Sequence, residues 1–269
     1  MVRRALGNHH VGPDTLLVTS DMTKQTGSVA EEKHSPGEQT WLRGLVGAAR
    51  VVLFDFDGPI CRLFAGRPAA VIAREQVAWL DRQGLGEALT LAERDDPDPH
   101  TVLRSMGRQR PDSDLVVELE KRLTAEELRA VPTAWPTPYA DPLIRTWTAV
   151  GARLAITTNN SPEAARGYLA GRGLAGCFEP HVYGRSQDLS RLKPDPYCLN
   201  RALSAMGAPP SAALMVGDGA TDFQAANEAG VPFLGYARNE TKERALRDAG
   251  VRHVIGSMEP ILRAVRGTL

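Results

Sequence analysis

Residues 51–60 read VVLFDFDGPI: four consecutive apolar residues, two aspartates with Phe56 between them, then Gly-Pro. An apolar run without polar alternation, such as Val51–Phe54, is the pattern of a strand covered on both faces. Two carboxylates at the end of a buried strand repel each other and lose water. Asp55 and Asp57 therefore make sense there only if the chemistry at that strand end uses negative charge.

The chain around this stretch repeats its pattern. Further apolar runs lie at Arg153–Thr157, His181–Tyr183, Ala213–Val216, Pro232–Gly235 and His253–Ile255. Helical segments separate them: Asp141–Val150, Pro162–Arg172, Pro196–Met206, Thr221–Ala229 and Thr241–Ala249. Ser161-Pro162 supplies an N-cap and a proline at the first helical position, and Gly173, Gly207, Gly230 and Gly250 follow helix ends. Strands alternating with helices predict an α/β fold with a doubly wound, mostly parallel sheet of Rossmann-like type.

One interval breaks the alternation. Between the first strand and the helix before the second lie about 80 residues, too many for a structureless loop in a compact domain. AAVIAREQVAWLDRQ repeats an apolar pair, Val71-Ile72 and Ala78-Trp79, at two-turn spacing. DSDLVVELEKRL places Leu115, Leu119 and Leu123 on one helix face. Thr124 with Glu127 reads as a capping box opening another short helix. Residues 63–136 are thus expected to form an inserted α-helical cap, with 42–62 and 137–269 forming the core. Residues 1–41 are polar and aperiodic and read as a disordered extension, within which Met22 is a second candidate start. His9 and His10, without a third ligand at metal spacing, belong to that solvated tail.

In an open parallel sheet, ligands gather at the carboxyl ends of the strands. Those ends carry a coherent set. The first strand ends in Asp55 and Asp57, and the second in Thr157-Thr158-Asn159-Asn160. Lys193, in RLKPDP, follows the third, and the fourth ends in Gly217-Asp218-Gly219 with Asp222 beyond. Carboxylates without histidine or cysteine suit Mg²⁺. A hydroxyl, a lysine and helix N-terminal amides suit a phosphate. One carboxylate can attack phosphorus while its neighbour handles protons.

DFDGPI, LAITTN, LKPDP and VGDGATD together resemble the four signature motifs of the haloacid dehalogenase superfamily, from about Val51 to at least Asp222. The resemblance implies that Asp55 is the nucleophile and forms an aspartyl-phosphate, with Asp57 as general acid and base. It implies that Thr158 and the Asn159 amide bind the phosphoryl group, and that Lys193 neutralises charge on it and on Asp55. Asp55, Asp57 (through its carbonyl) and Asp218 would hold Mg²⁺, with Asp222 behind them or holding Lys193. Thr157 also carries a hydroxyl; Thr158 fits the family pattern better because Asn159 follows it. Pro59 departs from that pattern and removes a backbone donor. The insertion directly after the first motif resembles the helical cap of phosphoglycolate phosphatase-like enzymes and β-phosphoglucomutase, and implies a small phosphorylated substrate.

The expected reaction is therefore hydrolysis of a small phosphomonoester. A phosphomutase shares all four motifs, and a non-catalytic phospho-acceptor is the reading from another class. Asp57 argues against dehalogenation, and Lys121 is the only lysine in the insertion that could serve a phosphonatase. Asp95-Asp96-Pro97-Asp98 reads as turn and cap chemistry, Arg62 and Arg67 as hinge arginines, and Trp79 as cap packing. Lys+Arg and Asp+Glu are equal at 32 each, which leaves no global electrostatic case for nucleic acid or an anionic membrane. No apolar run is long enough for a membrane span. Cys61, Cys177 and Cys198 lack CxxC spacing, which points to a reducing compartment and a cytoplasmic location.

Overall fold

The computed structural model describes residues 36–267. His9, His10 and Met22 lie outside them. The first described element is helix α1 (Pro36–Ala48), which begins inside the stretch expected to be a disordered extension through residue 41. Its reason is apolar spacing: Leu42 and Val46, one turn apart, are buried in the main core, and Trp41 stacks on His253.

Strand β1 (Val51–Phe54) is completely buried and leads to a two-residue strand, β2 (Cys61–Arg62). Four helices follow: α2 (Ala69–Arg82), α3 (Leu91–Asp95), α4 (Pro99–Gln109) and α5 (Asp114–Ala130). Strand β3 (Trp135–Pro136) then pairs antiparallel with β2, so the helical insertion leaves and rejoins the chain through a short two-stranded ribbon. Ile72, Leu80, Val102, Leu103, Met106, Leu119 and Leu123 pack the insertion's helices into an apolar cluster that Leu189 and Leu192 also join, and in which Trp79 packs as expected.

Beyond the ribbon, the chain runs α6 (Ala140–Ala149), β4 (Arg153–Thr157), α7 (Pro162–Gly171), α8 (Ala175–Phe178), β5 (Val182–Tyr183) and α9 (Tyr197–Met206). It continues β6 (Ala213–Gly217), α10 (Ala220–Glu228), β7 (Phe233–Tyr236), α11 (Glu240–Asp248), β8 (Val254–Ile255) and α12 (Glu259–Val265). The main sheet has the order β5-β4-β1-β6-β7-β8, with every pairing parallel. Val51 lies opposite both Arg153 and Ala213, and Phe54 opposite both Ile156 and Val216. The chain winds to one side of β1 and then to the other, which puts the topological switch between β1 and β6. Two apolar layers cover the sheet, one around Phe54, Trp147 and Phe178 and one around Leu53, Leu199 and Met215. The expected doubly wound α/β fold is the fold observed.

The expected capping box at Thr124 is not there. Helix α5 runs unbroken through it, started instead by Ser113, whose hydroxyl accepts from the Val116 amide. The Thr124 hydroxyl donates back to Glu120 one turn earlier, and Glu127 has other partners. Asp96 and Asp98 do serve as turn and cap: Asp96 accepts from the Asp98 amide and the Thr101 hydroxyl, and Asp98 accepts from the His100 amide.

Candidate active site

The alternation of β1 continues past its last paired residue. The Asp55 amide donates to the Val216 carbonyl at 2.9 Å. Phe56 turns into the core against Tyr168, with ring centroids 5.5 Å apart, so the aspartates on either side leave the opposite face. Phe56 is therefore the anchor that aims both carboxylates at the sheet's carboxyl edge. Gly58, at φ +131°, then brings the backbone against Asp218. A Cβ there would sit 2.4 Å from the Asp218 Cγ, so only glycine fits. Its carbonyl accepts from the Thr137 hydroxyl at 2.6 Å, which ties the turn to the returning ribbon.

Lys193 is completely buried between two carboxylates. Its Nζ donates to Asp55 Oδ1 at 2.8 Å, to Asp222 Oδ1 at 2.6 Å and to the Thr157 carbonyl at 2.9 Å. Burial opposes the charge, but Asp222 and Asp55 outweigh it and hold the ammonium well above its ordinary pKa. Asn159 fixes the lysine's backbone reciprocally, accepting from the Lys193 amide at 2.8 Å and donating to its carbonyl at 3.1 Å. Asp222 has its second oxygen on the Asp218 and Gly219 amides, both at 3.0 Å, and so fixes the turn that carries Asp218.

Burial raises Asp55 to about 6, against the pull of Lys193. It raises Asp57 to about 7, although the Leu63 amide donates to Asp57 Oδ1 at 2.8 Å. A carboxyl that titrates near neutrality can give or take a proton there. Of the two adjacent threonines, Thr157 turns its hydroxyl into the sheet toward Met215 Sδ at 3.4 Å, whereas the Thr158 hydroxyl lies at the strand end beside Asn160.

Oxygen atoms of Asp55, Asp218 and Asp222 lie within 4.8 Å of one another. An all-carboxylate set at that spacing fits a hard divalent cation such as Mg²⁺. Asp222 is spent on Lys193 and two amides, which leaves Asp55 and Asp218 as the carboxylates able to turn toward an ion.

A family model for haloacid dehalogenase-like hydrolases matches residues 49–230, a span holding all of these side chains. The chain belongs to the haloacid dehalogenase-like hydrolases. A phosphoglycolate phosphatase from Rhodospirillum rubrum is 30% identical over 204 residues, covering 70% of this chain and 81% of that one. Pyrophosphatase PpaX from Halalkalibacterium halodurans is 32% identical over 124 residues, covering 45% of this chain and 56% of its own. Among solved structures, a haloacid dehalogenase-like hydrolase from Bacteroides fragilis aligns with a TM-score of 0.60 at 22% identity, over 78% of this chain and 98% of that one. CbbY from Rhodobacter sphaeroides, in complex with phosphate, aligns at 0.57 and 19% over 78% and 94%. At these identities the structural likenesses establish the fold.

Two groups in this haloacid dehalogenase-like hydrolase have no counterpart in the sequence reading. Lys242 on α11 pairs with Asp218, Nζ to Oδ2, at 2.9 Å. Arg185, just past β5, is buried against Glu127 of α5. Arg62 stacks over exposed Trp135 on the ribbon, and Arg67 pairs with Glu75 and Glu126, so both behave as hinge arginines. Lys121 is exposed on α5. Asn239 caps α11 by accepting from the Lys242 amide. Cys61, Cys177 and Cys198 are all free. No helix among the described residues is long and apolar enough to cross a membrane.

Proposed function

We propose that this chain is a Mg²⁺-dependent phosphatase that hydrolyses a small phosphomonoester through an aspartyl-phosphate on Asp55. The observation that carries the reading is the contrast between the two aspartates. Asp55 is ion-paired to Lys193, while among the described residues Asp57 has no cation within hydrogen-bond range and accepts only from the Leu63 amide. One is suited to remain a carboxylate and attack, the other to hold a proton.

In the first step an Asp55 oxygen forms a bond to phosphorus as the bond to the ester oxygen breaks. Asp57 gives its proton to that leaving oxygen. In the second step water attacks phosphorus, Asp57 takes the water's proton, and the Asp55–phosphorus bond breaks to release orthophosphate. Thr158 and the Asn159 amide hold phosphoryl oxygens, and Lys193 keeps Asp55 in line while balancing its charge. Asp55, Asp218 and the Asp57 carbonyl would hold Mg²⁺, which when bound neutralises charge on the phosphoryl oxygens. The helical insertion would close over a small substrate and exclude bulk water.

Phosphate release from a panel of esters with Mg²⁺, run beside Asp55→Asn, tests this. The name of the Rhodospirillum relative makes phosphoglycolate the first ester to try, followed by sugar phosphates, nucleoside monophosphates and pyrophosphate. Turnover in wild type, abolished by Asp55→Asn and by chelation, is expected. Undiminished turnover in Asp55→Asn would remove the nucleophile and with it the mechanism.

A further inference from the structure

The segment after Thr158 is held from outside its own strand, and one of its holders belongs to the helical insertion. Glu127 of α5 is fully buried. Its Oε1 accepts from the Asn160 side-chain amide at 3.0 Å, and its Oε2 from the Ser161 backbone amide at 2.9 Å. Arg185 holds the same segment from the core side. Its backbone amide donates to the Asn160 carbonyl, and its Nη1 to the Asn159 carbonyl, both at 2.9 Å. Gly184 permits this approach, because a Cβ there would meet the Asn160 carbonyl oxygen at 2.6 Å.

The two holders also grip each other. Arg185 Nη1 and Nη2 reach the two Glu127 oxygens at 2.9 and 2.8 Å, a bidentate pair with both side chains at zero exposure. The guanidinium also donates to Glu120 at 3.0 Å and to the Thr124 hydroxyl at 2.7 Å. Glu120, Thr124 and Glu127 lie on one face of α5, so a whole stripe of the insertion is fitted to this single core arginine. His100 of α4 completes the cluster, its Nε2 3.4 Å from Arg185 and 3.5 Å from Glu127.

An ion pair this deeply buried stabilises a fold little better than apolar packing would, so its value lies in the geometry it enforces. Here that geometry is the position of residues 159–161 relative to the insertion. We infer that Glu127 and Arg185 are positioning residues that couple the seating of the helical insertion to the shape of the phosphate-holding segment. The inference rests on the phosphate-site reading above. When α5 is seated, the Asn159 and Asn160 carbonyls and the Ser161 amide are all engaged, which leaves the Asn159 amide and the Thr158 hydroxyl in a fixed place for phosphoryl oxygens. Glutamine at 127 has one acceptor oxygen for these two donors, so it frees Asn160 or Ser161 without touching any group that meets substrate.

Orthophosphate binding reads this without requiring that the right ester be known. Full-length wild type, Glu127→Gln, Arg185→Lys and, as a control, Arg94→Lys at the distant pair with Asp81 are titrated calorimetrically with orthophosphate in Mg²⁺. Michaelis constants for p-nitrophenyl phosphate are measured beside them. Orthophosphate affinity is expected to fall about tenfold in Glu127→Gln, with a matching rise in KM, and to be unchanged in Arg94→Lys. Arg185→Lys keeps the charge but leaves the Asn159 carbonyl or Thr124 without its donor; it should move in the same direction, and it carries the test if Glu127→Gln does not fold. Folded variants that bind orthophosphate within twofold of wild type overturn the coupling. Wild type that binds no orthophosphate overturns the phosphate-site reading itself, and this inference with it.

Discussion

Lys242 Nζ lies 2.9 Å from Asp218 Oδ2, so a carboxylate suited to a divalent ion is already paired with a cation from α11. Lysine and metal ion compete for one charge. The lysine is about a third exposed, which limits the pair to about 1 kcal/mol. Lys242→Met is expected to lower the thermal midpoint slightly in chelator and to lower the half-saturating Mg²⁺ concentration by up to about fivefold, that 1 kcal/mol returned to the ion. Thermal melts across a Mg²⁺ series measure both. Weaker Mg²⁺ binding in Lys242→Met would show that the lysine holds Asp218 in place for the ion.

Gly58 is the backbone counterpart of that pair. Alanine there must adopt φ +131° and push a methyl group into the Asp218 carboxylate. Gly58→Ala should fold yet need at least about tenfold more Mg²⁺ for half-maximal activity, as expected when the support of a ligand is displaced. A Mg²⁺ titration of turnover decides, and an unchanged midpoint would mean that Asp218 does not ligate the ion.

Asp57 has a role that depends on the substrate. If its proton goes to the leaving oxygen, a good leaving group needs it less. Asp57→Asn should slow hydrolysis of an alkyl phosphate by about 10²–10⁴, and of p-nitrophenyl phosphate by much less. Equal losses on both esters would mean that the Asp57 carboxyl does not protonate the leaving oxygen in the slow step.

These residues were legible in the sequence for a physical reason. Asp55, Thr158 and Asp218 each stand at the carboxyl end of a mostly buried strand of a parallel sheet, and such sheets bring their carboxyl ends together whatever the spacing along the chain. Lys193 was legible because it recurs with them in a fixed order. Glu127, Arg185 and Lys242 carry no local signal. Arg185 and Glu127 are separated by 58 residues and meet only because α5 docks beside the end of β5. The Thr124–Glu127 pair imitated a helix start, since the threonine and glutamate of a capping box can equally well lie three apart inside a helix. Among these terms only tertiary burial separates the two, and it buries Glu127 completely. Helix α1 carries little signal because, among its described side chains, only Leu42 and Val46 are buried before the chain turns into β1.

The Glu127–His100 contact gives stability a pH dependence of its own. Burial favours the neutral form of Glu127, but Arg185 and His100 outweigh it and bring the carboxyl down to about 2 from 4.5. That contribution is complete above 4.5 and is lost as pH falls through about 2. Burial likewise disfavours protonated His100, but Asp98 and Glu127 outweigh it and raise the imidazole to about 9 from 6.5. Protonated His100 therefore contributes fully below 6.5, and its contribution is lost as pH rises through about 9. His100→Gln should cost on the order of 2 kcal/mol below 6.5 and progressively less toward and beyond about 9. Urea unfolding of wild type and His100→Gln across that range measures the difference. A gap between the two proteins that stays constant with pH would mean that folding leaves the His100 pKa where it is in the unfolded chain, and that Asp98 and Glu127 do not favour the imidazolium.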